Sequence, residues 1–450
     1  MKVLLLNPPA DGLILRDYNC GLSTKADYYW PPIDLYPLSG ILSEKFEVVV
    51  LDSVVLKQGV ESSKKAILKI NPDVIISLIS NVSLAKDIKF FSDLKKEFSF
   101  KCGVTGDIGY FNPDYVLDKH KEIDFIVRDF TSKDIVKYLL GEKDVDDVSF
   151  RLSSGKNHIH KKIHNTKISY PMPNHDLFSK LKYTLPYSRH DKITTMLTNY
   201  GCPYTCSFCI SGKMHFRLRE IDDIMEELKH ICSLGFKEVY IRDFLFSISK
   251  KRIIEICKNI IENKIKIDWS CDCRVDNMDE ESLTYMKKAG CFLIFFGVES
   301  SDNDILVSVK KNIKKSKIEE IFSLCKKLGI TTLGSFILGL PEDTKDTMLK
   351  TIEFSKKLDC DYASFNVYTP KIKYMLETPE LAEKNPELFD QSIVGKSYCE
   401  VSKEELEKLQ KHAVKSFYFR PSKMASYAFD IKTPYQFINL FKNALYLTKI

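Results

Sequence analysis

The chain has 450 residues, 44% hydrophobic and 28% charged, with 67 Lys and Arg against 61 Asp and Glu for a net charge of +6. That length predicts two or three domains, and so mild a charge balance gives no ground for nucleic-acid or membrane binding. The opening MKVLLLNPP is too short for a secretory signal, and no apolar run reaches the roughly 18 residues that span a bilayer.

The thirteen cysteines are therefore expected in a reducing cytoplasm, as ligands or core residues rather than disulfides. Along the first 147 residues, KVLLLNPP, FEVVVLDS, DVIISLIS, FKCGVTGD and IDFIVRD read as buried parallel strands, with helical patterns between them. This alternation predicts a doubly wound α/β domain over 1–147 whose ligands sit at the carboxyl ends of its strands. Residues 148–190 are polar and turn-rich and read as a hairpin followed by an extended linker. His158, His160 and His164 lie there without Cys or carboxylate support, and read as surface residues rather than a metal site.

A second alternation fills 191–374. ITTMLTNY, EVYIRDF, IDWSCDCR, FLIFFGVES, TTLGSFILGL and YASFNVYTP are strand-like, with five amphipathic helices between them. Six such units in this length predict a partial β/α barrel, with its chemistry at the carboxyl ends of the strands. From 375 to 450 the pattern is helical, forming a small C-terminal domain. Its aromatic and basic last stretch reads as a packed helix rather than a lipid-contacting one.

The loop after the first barrel strand is GCPYTCSFC. Cys202, Cys206 and Cys209 can place three thiolates round one metal cluster and leave one corner open. With 13 cysteines in 450 residues, chance supplies this spacing about 0.01 times. Zinc would need a fourth ligand, and no nearby Cys or His stands at usual spacing. Cys271 and Cys273 read as strand residues, and Arg274, Asp272 and Asp243 as side chains able to point into the barrel.

CxxxCxxC on a first βα unit, with Phe208 before the third cysteine, resembles the radical S-adenosylmethionine superfamily. The resemblance implies a 4Fe–4S cluster on Cys202, Cys206 and Cys209, and reductive cleavage of S-adenosylmethionine to a 5′-deoxyadenosyl radical. It also implies S-adenosylmethionine contacts at Phe208, at Glu299 and Ser300 in FGVES, at Lys310 in SVKKNI, and at Gly339 and Pro341 in ILGLPEDT.

The whole chain, with a doubly wound domain ahead of such a barrel, resembles the cobalamin-binding class of these enzymes, the class B methyltransferases. Cobalamin would then lie over the strand ends, where Ser77, Ser80, Gly103, Thr105 and Gly106 are small. CGVTGD and VRDFTSK depart from that family's usual turns, and Asp118–His120 lacks the glycine of a cobalt-ligating histidine motif, so no histidine is expected beneath the cobalt.

The resulting expectation is a cytoplasmic enzyme that methylates an unactivated carbon of a small-molecule or lipid-like substrate, with methylcobalamin as donor. A flavodoxin- or ferredoxin-type reductant would serve it. It would have no nucleic-acid partner and no transmembrane segment. The rivals are a radical cyclase or carbon–carbon coupling enzyme without net methylation, and a non-catalytic iron–sulfur redox protein. No residue is assigned to the catalytic step itself.

Overall fold

The computed structural model describes residues 1–10, 12–18, 21–23, 28–159, 167–429, 431 and 433–447. It divides into two compact units: 1–24, 28–185 and 371–390 form the first, and 25–27, 186–370 and 391–450 the second.

The first unit is built on one sheet. Its strands are β1 (Lys2–Asn7), β2 (Glu47–Asp52), β3 (Val74–Leu78), β4 (Lys101–Thr105), β5 (Phe125–Val127), β6 (Val148–Arg151) and β7 (Asn157–His158). They lie in the order β2-β1-β3-β4-β5-β6-β7. The first five are parallel, with Leu4 paired to Val49 on one side and Ile75 on the other. Covered on both faces, these strands bury unbroken apolar runs: Val3, Leu4, Leu5 and Leu6 are all 0% exposed. The order 2-1-3-4-5 is flavodoxin-like, with its switch point between β1 and β3.

Two features differ from the sequence reading. β6 pairs antiparallel with β5 and β7 with β6, extending the first sheet, so the expected hairpin is its edge. Its strand composition, with Phe150 packed in the core, was enough to recruit it. Residues 371–390 also leave the expected barrel and C-terminal domains and fold into the first unit. They are fixed there by Lys371 3.8 Å from Asp107, Glu383 3.2 Å from His120, and Asp390 accepting the Ser23 N–H at 3.0 Å. These long-range ion pairs leave no local pattern in the sequence.

The second unit holds the six-stranded parallel sheet expected of a partial barrel, in simple chain order: β8 (Ile193–Met196), β9 (Glu238–Ile241), β10 (Asp268–Cys273), β11 (Cys291–Glu299), β12 (Thr331–Leu338) and β13 (Tyr362–Val367). Alternation sorts the side chains. Trp269, Cys271 and Cys273 enter the core shared with the helices, so the two neighbouring cysteines are packing residues, their thiols 3.6 Å apart. Residues of opposite parity, among them Asp272, Phe295, Ser335 and Asn366, are half-buried on the other face. The helices carry their own start signals, such as the capping boxes at Asp279 and Thr344.

Candidate functional site

Beyond β8 the chain makes a two-residue antiparallel pairing, Asn199 to Leu218 and Tyr200 to Arg217, and the cysteine loop is the excursion between them. Gly201 starts it at φ +77°; a Cβ there would stand 2.5 Å from the His215 carbonyl oxygen, so the two arms can close only on glycine. The base is locked by Asp243, which follows β9. Its carboxylate accepts the N–H groups of Thr198 (2.7 Å) and Asn199 (3.1 Å), the Asn199 amide (2.8 Å) and the Thr198 hydroxyl. Burial raises the Asp243 carboxyl to about 6 despite these donors. Arg252 adds a bond to the Thr198 carbonyl at 3.1 Å, and Arg219 pairs with buried Glu227. Asp243 thus points at the foot of the loop rather than into the barrel.

Inside the loop, Cys209 N–H donates to the Cys206 carbonyl at 3.1 Å, and Ser207 N–H to that of Val309 at 3.0 Å. All three cysteines are free thiols, Cys206 buried and the others half-buried. Burial drives Cys202 up to about 11 and raises Cys206, with Lys311 and Arg274 opposing the latter as thiolate-favouring charges. Arg274 lies 3.6 Å from the Cys206 sulfur and over the Tyr204 ring at 3.9 Å. It is held by Asp276 (2.8 Å) and the Lys311 carbonyl (2.7 Å). Among the described residues no three Cys, His, Asp or Glu side chains converge on a single ion. Buried cations beside the sulfurs suit a negatively charged, thiolate-held group.

Glu299 ends β11 at φ +65° and accepts from Lys311 at 2.9 Å, both nearly buried. The pair exists because residue 297 is glycine: a Cβ there would meet Glu299 Oε1 at 2.3 Å and Lys311 Nζ at 2.7 Å. Lys311 also stands 5.9 Å above the Phe208 ring. Phe208 packs in a small cluster with Ile305, Val309, Ile337 and Leu340, which joins the cysteine loop to the turn after β12. In that turn Gly339 has φ +77° and Asp343 accepts the Leu340 N–H at 2.9 Å.

The structure therefore brings Cys202, Cys206, Cys209, Phe208 and Glu299 to one end of the barrel with Arg274 and Lys311. The other expected contacts are placed differently. Lys310 is exposed, one residue off, because helix Asn303–Ser308 ends in left-handed backbone at Lys310 (φ 56°) that turns Lys311 inward. Ser300 hydrogen-bonds away from the cysteines, its hydroxyl 3.4 Å from Thr351 and accepting the Asp302 N–H at 3.1 Å. Pro341 is exposed, and Gly339 faces Leu406. Lys311 could have been found from KK at 310–311 only by knowing that turn. Gly297 has no sequence signal beyond its place in FGVES.

At the strand ends of the first unit, Ser77, Ser80 and Thr105 are buried, and Gly103 and Gly106 lie beside them. Each glycine has an internal reason to be small. A Cβ on Gly103 would strike the Phe125 ring at 2.2 Å, and one on Gly106, at φ +126°, the Ile79 carbonyl at 2.1 Å. The Ser77 hydroxyl donates to Leu6 and Leu78 carbonyls, and the Ser80 and Ser83 hydroxyls are 2.9 Å apart. Beside them both side-chain polar atoms of Asn81 are buried without a hydrogen bond, and Oδ2 of buried Asp107 faces Lys371 at 3.8 Å. Asp107 Oδ1 accepts the N–H groups of Asn81 (3.1 Å) and Ile108 (2.7 Å); burial raises its carboxyl, with Lys371 opposing. Of the three histidines, His158 packs on Phe150 at 4.7 Å and contacts the Val145 carbonyl, while His160 and His164 lie outside the described residues.

Comparison with known proteins adds the following. Residues 196–355 match the model of the Radical SAM superfamily. An uncharacterized methyltransferase of Pyrococcus horikoshii, PH0819, is 28% identical over 453 residues, spanning 96% of this chain and 95% of its own. The anaerobic magnesium-protoporphyrin IX monomethyl ester cyclase of Rubrivivax gelatinosus is 24% identical over 395 residues, 82% of this chain and 68% of its own. The structure of the radical S-adenosylmethionine methyltransferase TsrM from Kitasatospora setae, with cobalamin and a [4Fe–4S] cluster bound, superposes with a TM-score of 0.64 at 16% identity, covering 81% of this chain and 74% of that one. At that identity the likeness is one of fold.

Proposed function

Because residues 196–355 form a radical S-adenosylmethionine domain, we propose that this chain is a cobalamin-dependent methyltransferase acting on an unactivated carbon of a small-molecule or lipid-like substrate. The observation that carries the reading is the site itself: three free thiols in a glycine-closed loop, faced by Arg274 and the Lys311–Glu299 pair at the carboxyl ends of barrel strands. The names of PH0819 and TsrM as methyltransferases support it, as does the flavodoxin-like strand order of the first unit, an order whose ligands bind at the strand ends.

When bound, the cluster supplies the electron that cleaves S-adenosylmethionine, and cobalamin carries the methyl group. Cys202, Cys206 and Cys209 would hold the cluster and leave it a position open to the methionine end of S-adenosylmethionine. Arg274 and Lys311 would balance the charge of the thiolates. Glu299 keeps Lys311 in place and would present a carboxylate to the methionine amine. The half-buried polar set on the open barrel face, in which Tyr240 donates to Asp272 (2.7 Å) and Asn366 to Ser335 (3.3 Å), offers hydrogen bonds to substrate. In the first unit, the unsatisfied polar atoms of Asn81, beside the Asp107–Lys371 pair, would fit the amide rim of a corrin.

The test is a product mass. The protein reconstituted anaerobically with iron, sulfide and hydroxocobalamin, and supplied with S-adenosylmethionine and a reductant, should add 14 daltons to its substrate for each methyl gained, about one per turnover. A radical product without that gain would instead favour ring closure, the reaction in the name of the Rubrivivax relative. Failure to cleave S-adenosylmethionine at all would remove both readings.

A further inference from the structure

Over residues 434–442 the helix Pro434–Leu447 is turned inside out relative to an ordinary surface helix. Its polar Gln436 and Asn439 are buried, and Leu440 packs with Phe292, Leu333 and Tyr362. Its apolar Phe437, Ile438 and Phe441 are 55%, 52% and 60% exposed. Met424, on the preceding helix Pro421–Phe429, is 56% exposed, and Phe419 42%. Scattered exposed apolar residues are normal, but three on one face of a single helix are not.

Charge marks the same region. Residues 411–450 carry seven Lys and Arg against one acidic residue, Asp430. The totals of 67 and 61 thus leave 60 of each sign in the first 410 residues, and the whole net charge of +6 belongs to this stretch. Lys411, Lys415 and Lys442 are exposed there. These helices rest on the amino ends of the barrel strands: Tyr427 donates to the carbonyl of Asp361, just before β13, and Thr433 to that of Arg189, ahead of β8. The cysteine loop is at the opposite, carboxyl end.

We propose that Phe437, Ile438 and Phe441, with the exposed Lys411, Lys415 and Lys442, form a docking face for an anionic lipid surface, which holds the barrel by its floor and leaves the cysteine end free. The chemistry is that of an interfacial helix, with apolar side chains entering the acyl boundary and lysines meeting the headgroups. No described helix is long and apolar enough to cross a membrane, so the contact is peripheral. The sequence pattern alone hides the face, because an amphipathic helix is ordinarily read with its apolar side inward.

The test uses the full chain and sedimentation with vesicles of phosphatidylcholine, alone or in equal mixture with phosphatidylglycerol. The expected result is binding to the anionic vesicles at about 0.1 M salt and release at about 0.5 M. Phe437→Ser with Phe441→Ser should weaken partitioning at least about tenfold, and Lys442→Glu roughly fivefold or more. The cluster absorption of each variant should be unchanged, which separates loss of docking from loss of fold. Equal affinity for neutral and anionic vesicles, or no binding at low salt, overturns the proposal. So does a concentration-dependent dimer, seen by light scattering, that the two Phe substitutions dissolve, since a second copy would then be the occupant.

Discussion

The two units place their candidate sites alike, at the carboxyl ends of parallel strands, yet build them in opposite ways. In the barrel the reactive groups are few, charged and specific in type: three thiols, one guanidinium and one Lys–Glu pair. In the flavodoxin-like unit the candidate site is a set of small residues whose smallness serves the protein's own packing, with the Asn81 side chain left unsatisfied beside it. A cluster must be covalently ligated, so its site needs residues of one chemical kind at fixed spacing. A large planar cofactor needs room and a few hydrogen bonds, which many residues can supply. The first kind of site is written in the sequence and the second is not.

The largest effect expected falls on the barrel. Cys206→Ala removes one of three thiolates, so iron in the reconstituted protein should drop from about four per chain to below about one. Cleavage of S-adenosylmethionine should fall to background. Retention of four irons would break the comparison at its root, because the loop would not then be the cluster's seat.

Next comes Lys311→Met, which leaves Glu299 buried beside no cation and should cost about 3–5 kcal/mol in urea unfolding, with S-adenosylmethionine binding lost. The double change Lys311→Met with Glu299→Gln should recover most of the stability and none of the binding. Recovery of both would make the pair structural only.

Asp243 sharpens the same contrast, since it shapes the loop without being near the reacting atoms. Its carboxyl is raised by burial to about 6 from 3.8, so the stability it contributes is fully present below about pH 4 and lost as pH rises through about 6. Between pH 5 and 7 this amounts to about 1 kcal/mol. Asp243→Asn should remove that slope. It also leaves the Thr198 hydroxyl and Asn199 amide without an acceptor, a cost of about 2–3 kcal/mol at every pH. An unchanged slope in the variant would show that another carboxylate titrates there, with Glu238, raised by burial to about 7, the next candidate.

In the first unit the expected signs are split. Asn81→Leu removes two buried, unsatisfied polar atoms, so the cofactor-free protein should gain about 1 kcal/mol. Retained cobalt after desalting should nevertheless fall at least about fivefold. If stability rises and cobalt retention is unchanged, Asn81 is idle packing and the unit binds its ligand elsewhere.

These contrasts also say what could be read beforehand. The parallel runs KVLLL, EVVVL and VIISL, and the six barrel strands, were legible because burial on both faces demands unbroken β-branched and aliphatic sequence. The cysteine loop was legible from spacing. Residues 371–390 were not, because Lys371 and Glu383 commit them to the first unit through partners more than 250 positions away. Of the small residues, Ser77, Ser80 and Gly106 fall at or just past strand ends and Gly103 in the middle of β4. Their internal contacts, with Phe125 and the Ile79 carbonyl, are tertiary and invisible in one chain.

The smallest effect is the most discriminating for the basic position beside Glu299. Lys310 and Lys311 are adjacent and chemically identical, and only the left-handed turn at Lys310 decides which one enters the site. Exposed Lys310 has nothing buried to lose, so Lys310→Ala should change stability by less than about 0.5 kcal/mol and leave S-adenosylmethionine cleavage as it was. Set against the loss expected for Lys311→Met, this asymmetry reads the backbone register directly in an activity assay. If the two variants behaved alike, the turn would not hold in solution, and the Glu299 pairing that the barrel site depends on would have to pass from one lysine to the other.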